Sequence, residues 1–254
     1  MENIESIHRN QRGKVSDKWS SYLPVYDRLF APYRDLPLSL LEVGVQNGGS
    51  LEVWSRYFAR ARKIVGCDIN PRCADLRYAD PRIAVVVGDI NTEETYLAIA
   101  EHSARFDLII DDGSHLSQDV LATFVNYFPF LNPGGLFVVE DTHTLYWQSY
   151  QGGLLKENTA IAFFKLLADL VNYEHWENGQ SIAQLFSSFF DSAHLPAFLA
   201  EGWIDAIEFR NSMVAVSKSE RPSHAKLGER LIAGSEAAVA PQILELRQAP
   251  RSAK

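Results

Sequence analysis

The sequence predicts an α/β protein built on a mostly parallel seven-stranded sheet with helices on both faces and a C-terminal antiparallel hairpin. Two observations carry this. Five short apolar runs alternate with stretches of helical periodicity between residues 38 and 141, as strands do in a parallel sheet buried on both faces. Two later runs, Trp203 to Arg210 and Met213 to Lys218, close on Asn211-Ser212, which suits a tight antiparallel pair.

Residues 1–18 are polar and mixed in charge. Asp17 is placed to cap a helix from Lys18 to about Phe30, in which Trp19, Tyr22, Tyr26, Leu29, Phe30 and Tyr33 make a broad aromatic face and Pro24 bends or delays the start. That face suits a helix packed on the sheet edge, and equally a lid that carries aromatics over a ligand. Leu38 to Val45 is the first strand. It runs into Gln46-Asn47-Gly48-Gly49-Ser50 and then a helix through Leu51, Val53, Trp54, Tyr57 and Phe58. Lys63 to Ile69 is the second strand, followed by Pro71 at a position where a first helical turn accepts proline. Arg82 to Asp89 is the third. Asn91-Thr92-Glu93-Glu94 opens a helix to about Ser103.

The fourth strand, Phe106-Asp107-Leu108-Ile109-Ile110, ends in Asp111-Asp112-Gly113-Ser114-His115. Ser117 is read as the cap of a helix from Gln118 to Phe130, Asn132-Pro133-Gly134-Gly135 as a turn, and Leu136 to Asp141 as the fifth strand. Aromatic, flexible sequence follows, then a helix from Asn158 to Val171. The expected division is a helical lid over 1–36, a main domain over 37–218 with an insertion at about 145–200 above the carboxyl edge of the sheet, and a tail over 219–254. The tail carries a short helix from His224 to Ile232 and a frayed end at Ala249–Lys254.

Composition narrows the classes. A net charge of −8 argues against a broad electrostatic grip on nucleic acid or an acidic membrane. Two cysteines, Cys67 and Cys73, lack metal-binding spacing and suit a reducing cytoplasm. The first residues have neither the basic region nor the apolar core of a signal peptide, and no apolar run approaches the ~18 residues of a membrane helix.

Three constellations carry chemistry. The first is the glycine turn of Glu42-Val43-Gly44 to Ser50. It lacks G-x-G-x-x-G spacing and a phosphate-binding lysine, so dinucleotide and triphosphate readings are weak. Glu42 favours an ammonium or sulfonium over a pyrophosphate. Asp68 ends the second strand, where an acid accepts from ribose hydroxyls, and Asp89 ends the third, where a short side chain meets an adenine amino group. Each acid alone suits a wet strand end; three behind one glycine turn suit a nucleoside-type ligand. The second constellation is Asp112, Glu140 and Asp141. Neighbouring strand ends lie ~4.8 Å apart, so these carboxylates repel unless a cation sits between them or they splay into solvent. Hard oxygen donors favour magnesium, manganese or calcium over zinc. The third is His115, three residues after Asp112, a candidate base near neutral pH; His143 is a weaker one that instead orients a ligand.

Taken together, Glu42-x-Gly44 with Gly48-Gly49-Ser50, Asp68, Gly88-Asp89, the Asp111 to His115 box and Glu140-Asp141-x-His143-Thr144-x-Tyr146-Trp147 resemble the class I S-adenosylmethionine-dependent methyltransferases. Within that Rossmann-like class the resemblance is to the metal-dependent sugar O-methyltransferases of macrolide, rhamnosylated-antibiotic and related natural-product pathways, over roughly Gly13 to Lys218. It implies S-adenosylmethionine on Glu42, Gly44, Ser50, Asp68 and Asp89, with Asp111 on the cofactor side of the acid pair. It implies magnesium or manganese on Asp112, Glu140 and Asp141 and His115 as general base. In such a site His143 orients the acceptor, and Tyr146, Trp147 and Tyr150 suit stacking on its sugar or aglycone and, equally, plain core packing. Ser16-Asp17-Lys18 with Tyr22 resembles a Thr-Asp-Lys stretch that helps close such sites, with serine for threonine. The expected activity is methylation of a sugar hydroxyl on a glycosylated natural product or glycan. The alternatives are a catechol-type enzyme acting on an aromatic diol and a non-catalytic binding protein on the same fold. The tail after Lys218 permits a homo-oligomer without requiring one.

Overall fold

The computed structural model describes residues 2–177 and 179–247. Its strands are β1 (Ser39–Val43), β2 (Lys63–Asp68), β3 (Ile83–Val87), β4 (Phe106–Asp111), β5 (Leu131–Val139), β6 (Ile204–Arg210) and β7 (Met213–Lys218). They form one sheet in the order β3-β2-β1-β4-β5-β7-β6. β1 to β5 are parallel, and β7 is antiparallel to both β5 and β6. The chain reverses its winding between β1 and β4, and a crevice opens there at the carboxyl ends of the strands, where ligands bind in doubly wound sheets.

The longer helices are α1 (Ile4–Arg9), α2 (Tyr22–Phe30), α3 (Gly49–Tyr57), α4 (Glu93–His102), α5 (Ser117–Tyr127) and α6 (Ala160–Val171). Side chains alternate across each strand, so the sheet feeds two cores. Leu41, Val43, Ile109 and Phe137 face one that holds Phe124, Phe163 and Phe164 of α5 and α6. Leu40, Ile110 and Val138 face the other, with Tyr22, Tyr26 and Phe30 of α2 and Trp54 of α3. Burial on both faces is why the strands read as unbroken apolar runs. The first core is largely aromatic: the Phe124 ring meets Phe128, Phe137 and Phe164 at centroid distances of 5.1, 5.1 and 5.2 Å.

Several elements differ from expectation, each for a local reason. The N-terminal stretch is not simply polar: Asn3 caps α1 and buries Ile4 and Ile7. The aromatic helix starts at Tyr22, not Lys18, which places Pro24 in its first turn, where its missing N–H costs nothing. α2 packs into the second core, while the extended residues Val15 to Trp19 line the main cavity. Ser117 is the first residue of α5 and not its cap; its hydroxyl accepts from the Ala160 N–H at 2.8 Å and ties α5 to α6. The Asn132-Pro133-Gly134-Gly135 stretch lies inside β5 as a bulge, the pairing jumping from Phe106↔Leu131 to Leu108↔Leu136.

Two compact units divide the chain, one running to His224 and the other starting at Ala225. Within the second, Pro241–Arg247 forms a 3-10 stretch. The helix expected over His224 to Ile232 does not form; Leu227 and Leu231 are exposed, leaving no buried apolar face to stabilise one. The expected frayed end at Ala249–Lys254 lies outside the described residues. Among the described residues, no helix is long and apolar enough to cross a membrane.

Candidate active site

The crevice holds a cavity of about 840 Å³, walled by the ends of β1 to β5 and by the Val15 to Trp19 segment. Its first wall is the glycine turn. Gly44 has φ +88°, and a Cβ on it would lie 2.0 Å from the Asp112 carbonyl oxygen, so only glycine lets the β1 and β4 ends approach. Gly48, also left-handed, leads into α3. The turn is braced from below: Asp68 Oδ2 accepts the Val45 and Gln46 N–H groups at 2.8 and 2.9 Å, and its Oδ1 accepts from Asn70. Asp89 Oδ1 accepts from the Asn91 N–H at 2.9 Å. Gly44, Ser50, Asp68, Asp89 and Asp111 line the cavity.

Glu42 lies behind the cavity wall. It is fully buried, and its carboxylate accepts from the Ser50 hydroxyl at 2.6 Å and the Trp54 indole N–H at 3.1 Å. Burial raises its pKa, and the Lys18 ammonium 3.7 Å away pulls against that rise. It positions Ser50 where direct ligand contact was expected. Asp111 and Asp112 separate sharply. Asp111 is buried, accepts only the Gly113 N–H through Oδ1, and leaves Oδ2 without a partner. Burial pushes its carboxyl up to about 7.

Asp112 joins a buried charge cluster that the sequence conceals. Lys18 reaches from the N-terminal segment to Asp112 Oδ2 at 2.5 Å and Glu140 Oε1 at 2.7 Å. Burial works against the ammonium, but Glu140, Asp112 and Glu42 outweigh it and hold the Lys18 pKa well above its usual value. The Tyr26 hydroxyl also donates to Glu140, at 2.5 Å. Glu140, expected beside Asp112 and Asp141 on a metal, is thus engaged by Lys18 and Tyr26.

The donor atoms that converge belong to Asp112, His115 and Asp141, all within 4.8 Å of one another. His115 Nε2 is 3.6 Å from Asp141 Oδ2 and 3.9 Å from Asp112 Oδ1. Two carboxylates at this spacing supply hard donors of the kind magnesium and manganese prefer, and the imidazole stands beside them with Nε2 toward both. His115 and Asp141 both sit in left-handed backbone, at φ +58° and +52°, a strain that persists where surrounding contacts impose it. Thr144 supplies such contacts, its hydroxyl lying 3.2 Å from the His115 carbonyl and 2.8 Å from that of Asp141. The Tyr22 hydroxyl lies 2.6 Å from Asp141 Oδ1 and 2.6 Å from Ser212 Oγ. Trp19 donates its indole N–H to Asp141 Oδ1 at 3.1 Å.

The aromatic stretch after β5 sits at this rim. His143 Nδ1 is bonded to Ser212 Oγ on the β6–β7 turn, and its ring packs edge-on against Trp147 at 4.9 Å. Trp147 meets Tyr150 at 5.9 Å. Tyr146 is 41% exposed, under the Lys165 ammonium. The sequence offers Trp19, Tyr22 and Tyr26 only as aromatics of a lid or an edge helix, Lys18 and Thr144 only within stretches that carry the resemblance, and Ser212 not at all as a site residue. Except for Thr144, which reaches back three residues to Asp141, their partners lie far off in the chain, 122 residues for Trp19 and Asp141, so no local spacing announces them.

Comparison with known proteins follows this geometry. Residues 41–142 match the family described as Methyltransferase domain. The chain is 33% identical over 82% of its length to the 8-demethyl-8-alpha-L-rhamnosyl tetracenomycin-C 2'-O-methyltransferase of Streptomyces olivaceus, covering 53% of that protein. It is 36% identical over 60% of its length to the mycinamicin VI 2''-O-methyltransferase of Micromonospora griseorubida, covering 40%. The chain thus spans about half the length, or less, of the relatives it matches. Among solved structures it is similar to the MycE methyltransferase of the mycinamycin biosynthetic pathway in complex with Mg and SAH. The TM-score is 0.69 at 28% identity, over 86% of this chain and 55% of that one.

Proposed function

We propose that the chain is a class I S-adenosylmethionine-dependent methyltransferase in the group of the sugar O-methyltransferases, and that it methylates a hydroxyl of a glycosylated small molecule or glycan. The observation that carries the proposal is the convergence of Asp112, His115 and Asp141 within 4.8 Å at the rim of a cavity of cofactor size. Support from relatives lies in their named activity on rhamnosyl and macrolide substrates.

In this reading Gly44, Ser50, Asp68, Asp89 and Asp111 hold S-adenosylmethionine, and Asp112 and Asp141 hold magnesium or manganese. The cofactor supplies an electrophilic methyl group, and the cation makes an acceptor hydroxyl more acidic. His115 would take the acceptor hydroxyl's proton at Nε2, and the bound cofactor would supply the methyl group to that oxygen and leave as a neutral thioether. Thr144 holds the two strained backbones that set the geometry. Lys18 offsets the charges of Asp112 and Glu140, while Trp19 and Tyr22 hold Asp141 at the rim. Positioning of the two reactants supplies much of the acceleration.

Transfer of labelled methyl from S-adenosylmethionine to rhamnosyl glycosides, with and without chelator, tests this. Chelation and His115→Ala are each expected to lower kcat by about 10²-fold or more. Transfer untouched by both sinks the cation-and-base mechanism. S-adenosylhomocysteine at a hundred times its Kd is expected to stabilise the fold by about 2.7 kcal/mol; a melting curve that does not move removes the enzyme reading itself.

A further inference from the structure

Tyr22 gathers the end of β5 and the turn between β6 and β7 onto one hydroxyl. Its ring is buried in the second core. Its oxygen lies 2.6 Å from Asp141 Oδ1, 2.6 Å from Ser212 Oγ and 3.1 Å from the Ser212 carbonyl oxygen, and it accepts the Asp141 N–H at 3.2 Å. Asp141 and Ser212 both sit in left-handed backbone, at φ +52° and +66°. Neither is glycine, so surrounding contacts must impose each conformation. The Ser212 carbonyl also accepts the Thr142 N–H at 3.1 Å, and Ser212 Oγ is bonded to His143 Nδ1. Asp141 lines the cavity; Tyr22, Ser212 and His143 do not.

Proton accounting gives this cluster a direction. A hydroxyl has one proton to donate, and a carboxylate only accepts. A bond to the charged acceptor is the strongest on offer, so the Tyr22 proton goes to Asp141 Oδ1. The Tyr22 oxygen then accepts from the Ser212 hydroxyl as well as from the Asp141 N–H. Ser212 Oγ, its own proton committed, accepts from His143 Nδ1–H. The chain of bonds runs one way, from His143 through Ser212 and Tyr22 to Asp141. Trp19 gives its indole N–H to the same Oδ1 at 3.1 Å. With Oδ1 occupied by both donors, Oδ2 is the oxygen that faces His115 Nε2, at 3.6 Å.

We propose that Tyr22 and Ser212 are positioning residues that act through Asp141, locking its carboxylate with Oδ1 occupied and Oδ2 offered to the cation. The inference rests on the reading of Asp141 as a cation ligand and deepens it. It brings the β6–β7 turn into the working of the site, and it fixes His143 with its proton on Nδ1. Partners that orient a ligating carboxylate set the affinity of the metal it holds.

The test is titration of manganese chloride into protein with S-adenosylhomocysteine present, read by loss of the electron paramagnetic resonance signal of the free ion. Wild type is compared with Y22F, S212A and S212G. Y22F removes only a hydroxyl from a buried ring. Each variant is expected to bind manganese about tenfold or more weakly, while S-adenosylhomocysteine affinity stays within about twofold. S212G also relieves the left-handed backbone, so its melting temperature is expected to exceed that of S212A while manganese affinity stays equally low in both. A merely structural hydroxyl would let affinity recover with stability, and such recovery in S212G overturns the role of Ser212. Nitrogen-15 NMR of histidine-labelled protein, with His143 assigned by the signal lost in H143Q, is expected to show Nδ1–H in wild type and less of it in S212A. The Nε2–H form in wild type overturns the direction of the chain. Manganese affinity at the wild-type level in all the variants overturns the positioning role and leaves the cation reading standing. Wild type that binds S-adenosylhomocysteine but no manganese removes the cation reading, and the proposal with it.

Discussion

An alanine Cβ at position 44 would lie 2.0 Å from a backbone oxygen, on a residue whose φ is +88°. Both the clash and the left-handed backbone oppose it, so Gly44→Ala is expected to cost on the order of 2 kcal/mol and to weaken S-adenosylhomocysteine binding, read by thermal melting and calorimetry. Stability and affinity both at wild-type values would show that the β1 and β4 ends are not as close as described. At this scale the sequence is legible where the constraint is local. A glycine after an apolar run announces a turn, and an acid after one announces a strand end. It is illegible where a side chain answers to distant partners. Glu42 reads as a ligand-facing acid because it precedes a glycine turn, yet its oxygens go to Ser50 and Trp54. Asp111 and Asp112 read as a pair, but alternation on a strand turns neighbours to opposite faces. One is buried with an unpartnered oxygen and the other meets Lys18.

The strands and most helices follow from periodicity, and their ends move by a few residues where a cap or a proline decides. The hairpin is anchored by a residue that no pattern marks. Lys218, at the end of β7, donates to the carbonyls of Phe128, Pro129 and Leu131 at 3.3, 3.0 and 2.8 Å, fastening the hairpin to the turn between α5 and β5. Lys218→Met leaves these carbonyls without that donor and is expected to cost roughly 1–3 kcal/mol. Burial and the Arg105 charge push the Lys218 pKa down to about 8, below the ~10.4 of an unfolded lysine. Between those values the unfolded chain binds more protons than the folded one, so wild-type stability gains as pH rises from about 8 toward 10.4. The methionine variant lacks that gain. Urea midpoints at pH 7.5, 9 and 10.5 should show the gap between the two proteins widening with pH; a gap that narrows contradicts the assignment.

Across the molecule, two apolar cores clamp one sheet, and the site sits where the sheet changes winding direction. Phe124 centres the first core, fully buried among the rings of Phe128, Phe137, Phe163, Phe164 and Phe198. It rides on α5, which begins two residues after His115. Phe124→Ala is expected to cost about 3–5 kcal/mol, read as a lower urea midpoint with an unchanged slope. A loss under 1 kcal/mol would mean that this core repacks freely.

What the sequence determined by itself is the fold class and the order of acids along the strand ends. These depend on runs of a few residues and on burial of both sheet faces, which leaves its mark on every strand. The tertiary structure alone decided which of those acids meet. It put Lys18 on Asp112 and Glu140 and Tyr26 on Glu140, brought Asp112, His115 and Asp141 together, and set the rings of Trp19 and Trp147 edge-on to His143. Lys18 and Glu140 are 122 residues apart, and Tyr26 and Glu140 are 114. Contacts of that range are set by how helices and extended segments pack over a finished sheet, and residue spacing along the chain carries no record of it.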